Sequence, residues 1–195
     1  MDGVNFAGGV IARRNGSARG IGARFCAGRA CAVALAAMGL AWAGPALAQS
    51  GAITRHANPT NPNAIILQGV TIPPNAELLM LSGMVPAPID PAGAQEGLEA
   101  FGDTRTQTIS TLNRIKDALA ARGYRLSDVV RLTVYLVGDP RLGGKADLAG
   151  MNEAYRQFFG TADNPNLIAR TTIQIVALGA PHFLVEIEAT AAKAR

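Results

Sequence analysis

The sequence predicts an α+β domain, a mixed sheet with two helices packed on one of its faces. Three observations carry that expectation. Apolar, β-branched runs of strand length recur along the chain, the plainest being V-V-R-L-T-V-Y-L-V at Val129–Val137. Two intervening stretches instead repeat their apolar residues at helical spacing. The resulting order, β-β-α-β-α-β-β, interleaves strands and helices so that helices layer against a sheet.

The elements follow in order. Ala64–Ile72 reads as a strand closed by Pro73-Pro74-Asn75, and Leu78–Ser82 reads as a second strand ending at Gly83. The short connection predicts a hairpin. Met84–Gly102 is rich in Pro, Ala and Gly and reads as loop. Thr104–Arg122 is the clearest helix, with Ile109, Leu112, Ile115 and Leu119 on one face. Asp103 or Thr104 can cap it, Thr104 and Gln107 have capping-box spacing, and Gly123 stands where a helix-ending glycine belongs. Val129–Val137 is the third strand. Ala146–Phe159 is the second helix, its inner face carrying Leu148, Met151, Tyr155, Phe158 and Phe159. Thr171–Leu178 and Phe183–Ala192 are the last strands, joined through Gly179-Ala180-Pro181-His182.

The first 48 residues stand apart. Arg13, Arg14, Arg19, Arg24 and Arg29 precede an apolar run of 14 residues, Ala30–Ala43, followed by Gly44-Pro45-Ala46-Leu47-Ala48. A basic start, a short apolar centre and an A-x-A site describe a secretory leader cleaved near Ala48–Gln49. The run is shorter than the roughly 20 residues of a membrane-spanning helix. The expectation is therefore a periplasmic or secreted protein with no membrane association after cleavage, or a cytoplasmic one if the leader is not functional. Gln49–Asn63 is polar, has two Asn-Pro pairs, and reads as a flexible arm. The single domain proper is 64–195.

Removing the leader changes the chemistry on offer. The remaining 147 residues hold 13 basic and 13 acidic side chains, so the net charge of +4 resides in the leader. A neutral domain argues against broad electrostatic binding of nucleic acid. Cys26 and Cys31 also lie in the leader, which leaves no disulfide and no thiolate nucleophile. With only His56 and His182, a histidine-rich metal site is excluded by count. His56 lies in the arm, where no role is expected, and His182 in a turn.

Charge inside strand-like runs is the remaining signal. Arg170 opens I-A-R-T-T-I-Q-I-V-A-L (Ile168–Leu178), and Glu186 and Glu188 interrupt F-L-V-E-I-E-A (Phe183–Ala189). Burying a charge is costly without a partner. A guanidinium can grip a carboxylate bidentately, and a carboxylate can deliver water as a general base. Glu186 and Glu188 are two apart and share one face of a regular strand. The same pattern also fits an Arg170–Glu186 ion pair across adjacent strands, and Ser82-Gly83 also fits a plain turn.

Five blocks together resemble the RidA/YjgF family. They are G-D-T-R-T-Q-T-I-S-T-L-N-R-I-K (Gly102–Lys116), V-V-R-L-T-V-Y-L (Val129–Leu136), M-N-E-A-Y-R-Q-F-F (Met151–Phe159), A-R-T-T-I-Q-I (Ala169–Ile175) and V-E-I-E-A (Val185–Ala189). The resemblance implies a chorismate-mutase-like (YjgF-type) fold and a homotrimer with its sites in clefts between subunits. It implies hydrolysis of reactive imines and enamines of amino acids to 2-keto acids and ammonia, without a cofactor. Residue by residue, it marks Arg170 as the carboxylate clamp and Glu186 as the water-handling group, which leaves Glu188 as a supporting partner or an interface contact. Ser82 and Gly83 approach substrate through the backbone, and Thr172 stands where the family often has cysteine. Asn152 either touches ligand or caps its helix. Many members carry G-P-Y in the first strand, with the tyrosine over the substrate; here Ile65 and Ile66 stand in that region, which makes the pocket more apolar. A non-catalytic trimer that binds small carboxylates in the same cleft is the alternative.

Overall fold

The computed structural model describes residues 51–195. The expected leader, 1–48, lies outside the described residues. Six strands and three helices follow in the order β1 (Thr54–His56), β2 (Gly69–Thr71), β3 (Glu77–Met84), α1 (Leu98–Phe101), α2 (Thr104–Ala120), β4 (Val129–Val137), α3 (Leu148–Tyr155), β5 (Ala169–Ile175) and β6 (Val185–Lys193).

Four strands make one mixed sheet in the order β3-β6-β4-β5. β6 runs antiparallel to both β3 and β4, and β4 is parallel to β5. The alternation along β4 is strict where the core is densest. Leu132, Val134 and Leu136 are buried, while Arg131, Thr133 and Tyr135 point the other way. Against the buried face pack Leu112, Ile115 and Leu119 of α2 and Met151 and Tyr155 of α3, with Phe159 just beyond. The expected α+β class, with a mixed sheet and two helices on one face, is what folds.

The pairing differs from the expectation in three places. The run Ala64–Ile72 forms no hairpin with β3. Only Gly69–Thr71 is strand, and it pairs with β1, while Leu67 makes a single parallel bridge to Ala169 at the opposite sheet edge. Pro73-Pro74 offers no N–H to continue a ladder, and β3 instead gains β6, where Leu79 and Leu81 face Ala191 and Ala189. Likewise β5 and β6 are not neighbours, because β4 lies between them and buries both of its edges. Third, the stretch read as a flexible arm supplies β1, and Arg55 ties it down. Its Nη1 donates to the Leu167 carbonyl (2.9 Å) and its Nη2 to the carbonyls of Ser127 (3.0 Å) and Val129 (3.1 Å). Burial lowers the Arg55 pKa from its ordinary value, against the opposing pull of Asp128 and Tyr155. His56, expected to have no role, pairs with the Thr71 hydroxyl at 2.8 Å.

The helix ends are set by side chains. Asp103 caps α2 by accepting from the Thr106 N–H at 2.7 Å. Gln107 closes no capping box. It is fully buried, and its amide donates to the carbonyls of Gly102 (3.1 Å) and His182 (2.9 Å) while accepting from the Leu184 N–H (2.7 Å). The stacking of His182 on Phe101 at 4.4 Å holds the same turn. α3 is shorter than the predicted Ala146–Phe159. Asp147 caps it through the Gly150 N–H, and the chain leaves the helix after Tyr155.

Gln107 therefore fixes where β6 begins. Replacing it with leucine strands a buried N–H and a buried carbonyl at a cost of about 1–3 kcal/mol each. Gln107→Leu is expected to lower unfolding free energy by about 3 kcal/mol, read as a shift in urea midpoint at unchanged slope.

Candidate functional site

Arg170 pairs with Leu132 across β4–β5, so its side chain takes the helix-covered face of edge strand β5. Two residues of α3 receive it. The Asn152 Oδ1 accepts from Arg170 Nη2 at 2.7 Å, and the Tyr155 ring lies under the guanidinium, 4.5 Å from centroid to Cζ. Asn152 and Tyr155 are three apart and share one side of the helix. The contact is a cation–π stack, which holds the guanidinium plane. Nε and Nη1 are buried and have no hydrogen-bond partner, and neither has the hydroxyl of Thr172, the next residue along that face. The three salt bridges among the described residues are Arg105–Glu153, Arg141–Asp139 and Arg195–Glu77. Arg170 is in none of them.

Electrostatics follow from this burial. Desolvation lowers the Arg170 pKa from the ordinary arginine value, with Tyr155 pulling up and Arg156 pushing down. Burial raises the Tyr155 phenol to about 12, against the opposing charge of Arg170. The tyrosine therefore stays neutral, a ring for the cation to rest on rather than a counter-ion. The arginine keeps its proton in any protein setting. The result is a partly desolvated cation with unmet donors, for which an incoming carboxylate is the natural complement.

Glu186 is elsewhere. It pairs with Tyr135 across β4–β6, on the open face of the sheet. Its carboxylate fills the space over Gly83. A Cβ at Gly83 would overlap Glu186 Oε1 and lie 2.8 Å from its Cδ. The β3–β6 register shifts between Leu81 and Met84, and this bulge brings Ser82-Gly83 under the carboxylate. Ser82 also lines an open hollow of about 590 Å³ with Met80, Arg131, Thr133, Glu188 and Thr190.

The sequence-predicted residues thus form two clusters. Arg170, Asn152 and Thr172 are together on the helix face, and Ile66 packs on the core beside the bridge that joins Leu67 to β5. Ser82, Gly83 and Glu186 are together on the open face. Within one chain the clusters do not meet. Arg170 and Glu186 are two strands and three residues apart, roughly 14 Å between Cα atoms at ordinary strand spacing, and on opposite faces. The reading of an Arg170–Glu186 ion pair across adjacent strands is thereby corrected, because β4 intervenes. Asn152 does not cap α3; Asp147 does, and Asn152 holds the arginine. Tyr155 packs in the core and also carries the cation, a second task that its three-residue spacing from Asn152 signals. Among the described residues, no three His, Cys, Asp or Glu side chains converge as metal ligands.

A small α+β domain with a half-buried cation at one sheet edge and a carboxylate over a glycine bulge at the other defines the class. The family model described as Endoribonuclease L-PSP matches residues 68–193, and the chain belongs to that family, which is also called RidA/YjgF. It is 37% identical over 115 residues to a RutC family protein of Pyrococcus horikoshii, covering 59% of this chain and 79% of that protein. It is 37% identical over 102 residues to Protein DfrA of Myxococcus xanthus, covering 52% of this chain and 66% of that protein. A solved Yersinia pestis protein described as a member of the conserved Rid family shares the fold at a TM-score of 0.56 and 24% identity, covering 72% of this chain and 98% of that one.

Gly83 is not in the left-handed region, and the atoms a methyl group would meet end a flexible side chain. Gly83→Ala is therefore expected to cost less than about 1 kcal/mol, in the range of ordinary surface changes, yet to displace the Glu186 carboxylate. Urea unfolding and the Glu186 carboxyl-carbon NMR shift read the two effects separately.

Proposed function

We propose that this protein hydrolyses reactive 2-imino and enamine acids to 2-keto acids and ammonia. The observation that carries the reading is the Arg170 guanidinium, desolvated, seated on Tyr155, held by Asn152 and without a carboxylate partner among the described residues. Asn152 uses one N–H of Nη2, so one of the two N–H forks remains for a bidentate carboxylate. The free Nε and Nη1 are shielded in the isolated chain, so entry comes with a local opening of the surrounding side chains.

With the carboxylate clamped, the imine carbon beside it is held in place, and positioning does part of the catalysis. A carboxylate then takes a proton from water as the oxygen adds to the imine carbon, and the imine nitrogen gains a proton, giving a carbinolamine. The carboxylate next moves the hydroxyl proton to that nitrogen as the carbonyl forms, the C–N bond breaks and ammonia leaves. Glu186 suits that role, and Ser82 and Gly83 lie beside it. Because Glu186 cannot reach the Arg170 of its own chain, the complete site is a cleft between subunits, formed by Arg170, Asn152 and Thr172 of one and Glu186, Ser82 and Gly83 of the next. A homotrimer supplies three such clefts. No cofactor enters these steps.

Imine generated in situ by an amino-acid oxidase tests the reading. Purified protein is expected to speed keto-acid and ammonia release, Arg170→Ala to abolish the gain, and Glu186→Gln to lower kcat by about 10²-fold or more. Asn152→Asp supplies Arg170 with an internal carboxylate and is expected to raise KM about tenfold with a smaller change in kcat. No gain over Arg170→Ala would end the proposal. Mixing unfolded Arg170→Ala and Glu186→Gln chains and refolding them together tests the shared cleft. Activity returns only if one chain supplies the arginine and another the glutamate.

Ile66, in the region where many relatives carry a tyrosine, favours a second reading, a trimer that binds small carboxylates without turnover. Saturable calorimetric binding of 2-keto acids with no imine hydrolysis would select it. The endoribonuclease in the family's name finds little support in a domain of balanced charge, with 13 basic and 13 acidic residues. Export is part of the proposal on the strength of residues 1–48. A native N-terminus at Gln49 in the periplasmic fraction supports it, and a cytosolic form retaining Arg29 overturns it.

A further inference from the structure

Two glutamates on one strand face need something to tell them apart. Glu186 and Glu188 are both half-buried, alternate with buried Ile187, and point to the open face of β6. Left to themselves, two carboxylates at this spacing compete for the same donors and the same water. They do not point the same way. Glu186 leans towards β3, its Oε1 over Gly83. Glu188 is held from β4, where the Tyr135 hydroxyl donates to its Oε2 in a long hydrogen bond of 3.3 Å. Tyr135 sits directly across from Glu186 in the ladder, one row along from Thr133, the partner of Glu188. Its side chain therefore stands beside Glu186 and reaches diagonally to Glu188.

The surroundings keep Tyr135 a donor. Desolvation, then the charge and hydrogen bond of Glu188, then the charge of Glu186, raise its phenol pKa, and Arg131 on the same strand face pulls weakly the other way. Arg131 is in no salt bridge with either glutamate, so the tyrosine is the hydrogen-bond donor that claims Glu188.

We propose that Tyr135 is a positioning residue: by tethering Glu188 on the β4 side it leaves Glu186 alone over Gly83. This rests on the reading of Glu186 as the water-handling group. Tyr135 touches neither water nor substrate in this scheme and acts through Glu188. Removing its hydroxyl frees a second anion to crowd Glu186 and to draw the water away from it. Removing the charge of Glu188 as well should cure that defect.

Steady-state kinetics on Tyr135→Phe, Glu188→Gln and the double variant read this cycle. Tyr135→Phe is expected to lower kcat about tenfold, within the range of a misplaced reacting group, with KM within about twofold. Glu188→Gln, which removes the competing charge while leaving Tyr135 in place, sets the reference level for the double variant. The double variant is expected to recover to that level, a non-additivity that loss of packing would not produce. An unchanged Tyr135→Phe, or a double variant as slow as Tyr135→Phe, overturns the proposal. If the wild-type protein hydrolyses no imine, the deaminase reading fails, and the geometry is still read without turnover. The Glu186 carboxyl-carbon resonance, assigned by its loss in Glu186→Gln, should shift in Tyr135→Phe and return in the double variant. A resonance that does not move overturns the role given to Tyr135.

Discussion

Strand β4 imposes the constraint on which the molecule depends. Its buried side, Leu132, Val134 and Leu136, is the floor of the core, and its two edges are both paired, to parallel β5 and antiparallel β6. Because side chains alternate with a period of two, β4 dictates the face of every functional group on either neighbour. Arg170 stands opposite Leu132 and is drawn under the helices. Glu186 stands opposite Tyr135 and is turned outward. A one-residue slip on either edge would exchange the two faces. The apolar alternation of β4 against Ile187 and Ala189 makes such a slip prohibitive, since it would expose the core.

That geometry leaves each cluster incomplete. On the helix side, α3 has prepared a bed for a cation, an aromatic face below and an amide oxygen at one corner, with no counter-ion among the described residues. On the open side, a bulge in β3 has cleared space for a carboxylate by placing glycine beneath it. Exposed apolar residues accompany the second cluster, with Met80 77% and Leu78 51% exposed on β3. Contiguous apolar patches on a sheet face mark contact surfaces. The proposed shared cleft draws on these two separate clusters and on this uncovered face.

Much of the fold was legible in the residues. The helical period of Thr104–Ala120 and the β-branched run of Val129–Val137 each encode their element locally. What failed was partner choice. Chain proximity suggested that the segment before Pro73-Pro74 should pair with β3, and the Arg170–Glu186 ion-pair reading set β5 beside β6. Both pairs are separated in space, because register over long sequence distance is decided by which apolar faces fit rather than by which strands follow one another. Gln107 shows the same limit at the level of one side chain. Its spacing from Thr104 suited a local cap, but its amide serves a turn 75 residues away.

For the site, the residue types alone marked Arg170, Glu186 and Glu188 as charges out of place in strands, and the chemistry open to them, gripping an anion or accepting a proton, belongs to the side chains themselves. The tertiary structure decided how those charges are spent. It set Arg170 on Tyr155, gave Asn152 to the arginine rather than to a helix end, and split the two glutamates between Gly83 and Tyr135. Those outcomes turn on distances between elements far apart in the chain. A linear sequence carries the identity and spacing of its groups, but which groups meet is settled only when the sheet closes around β4.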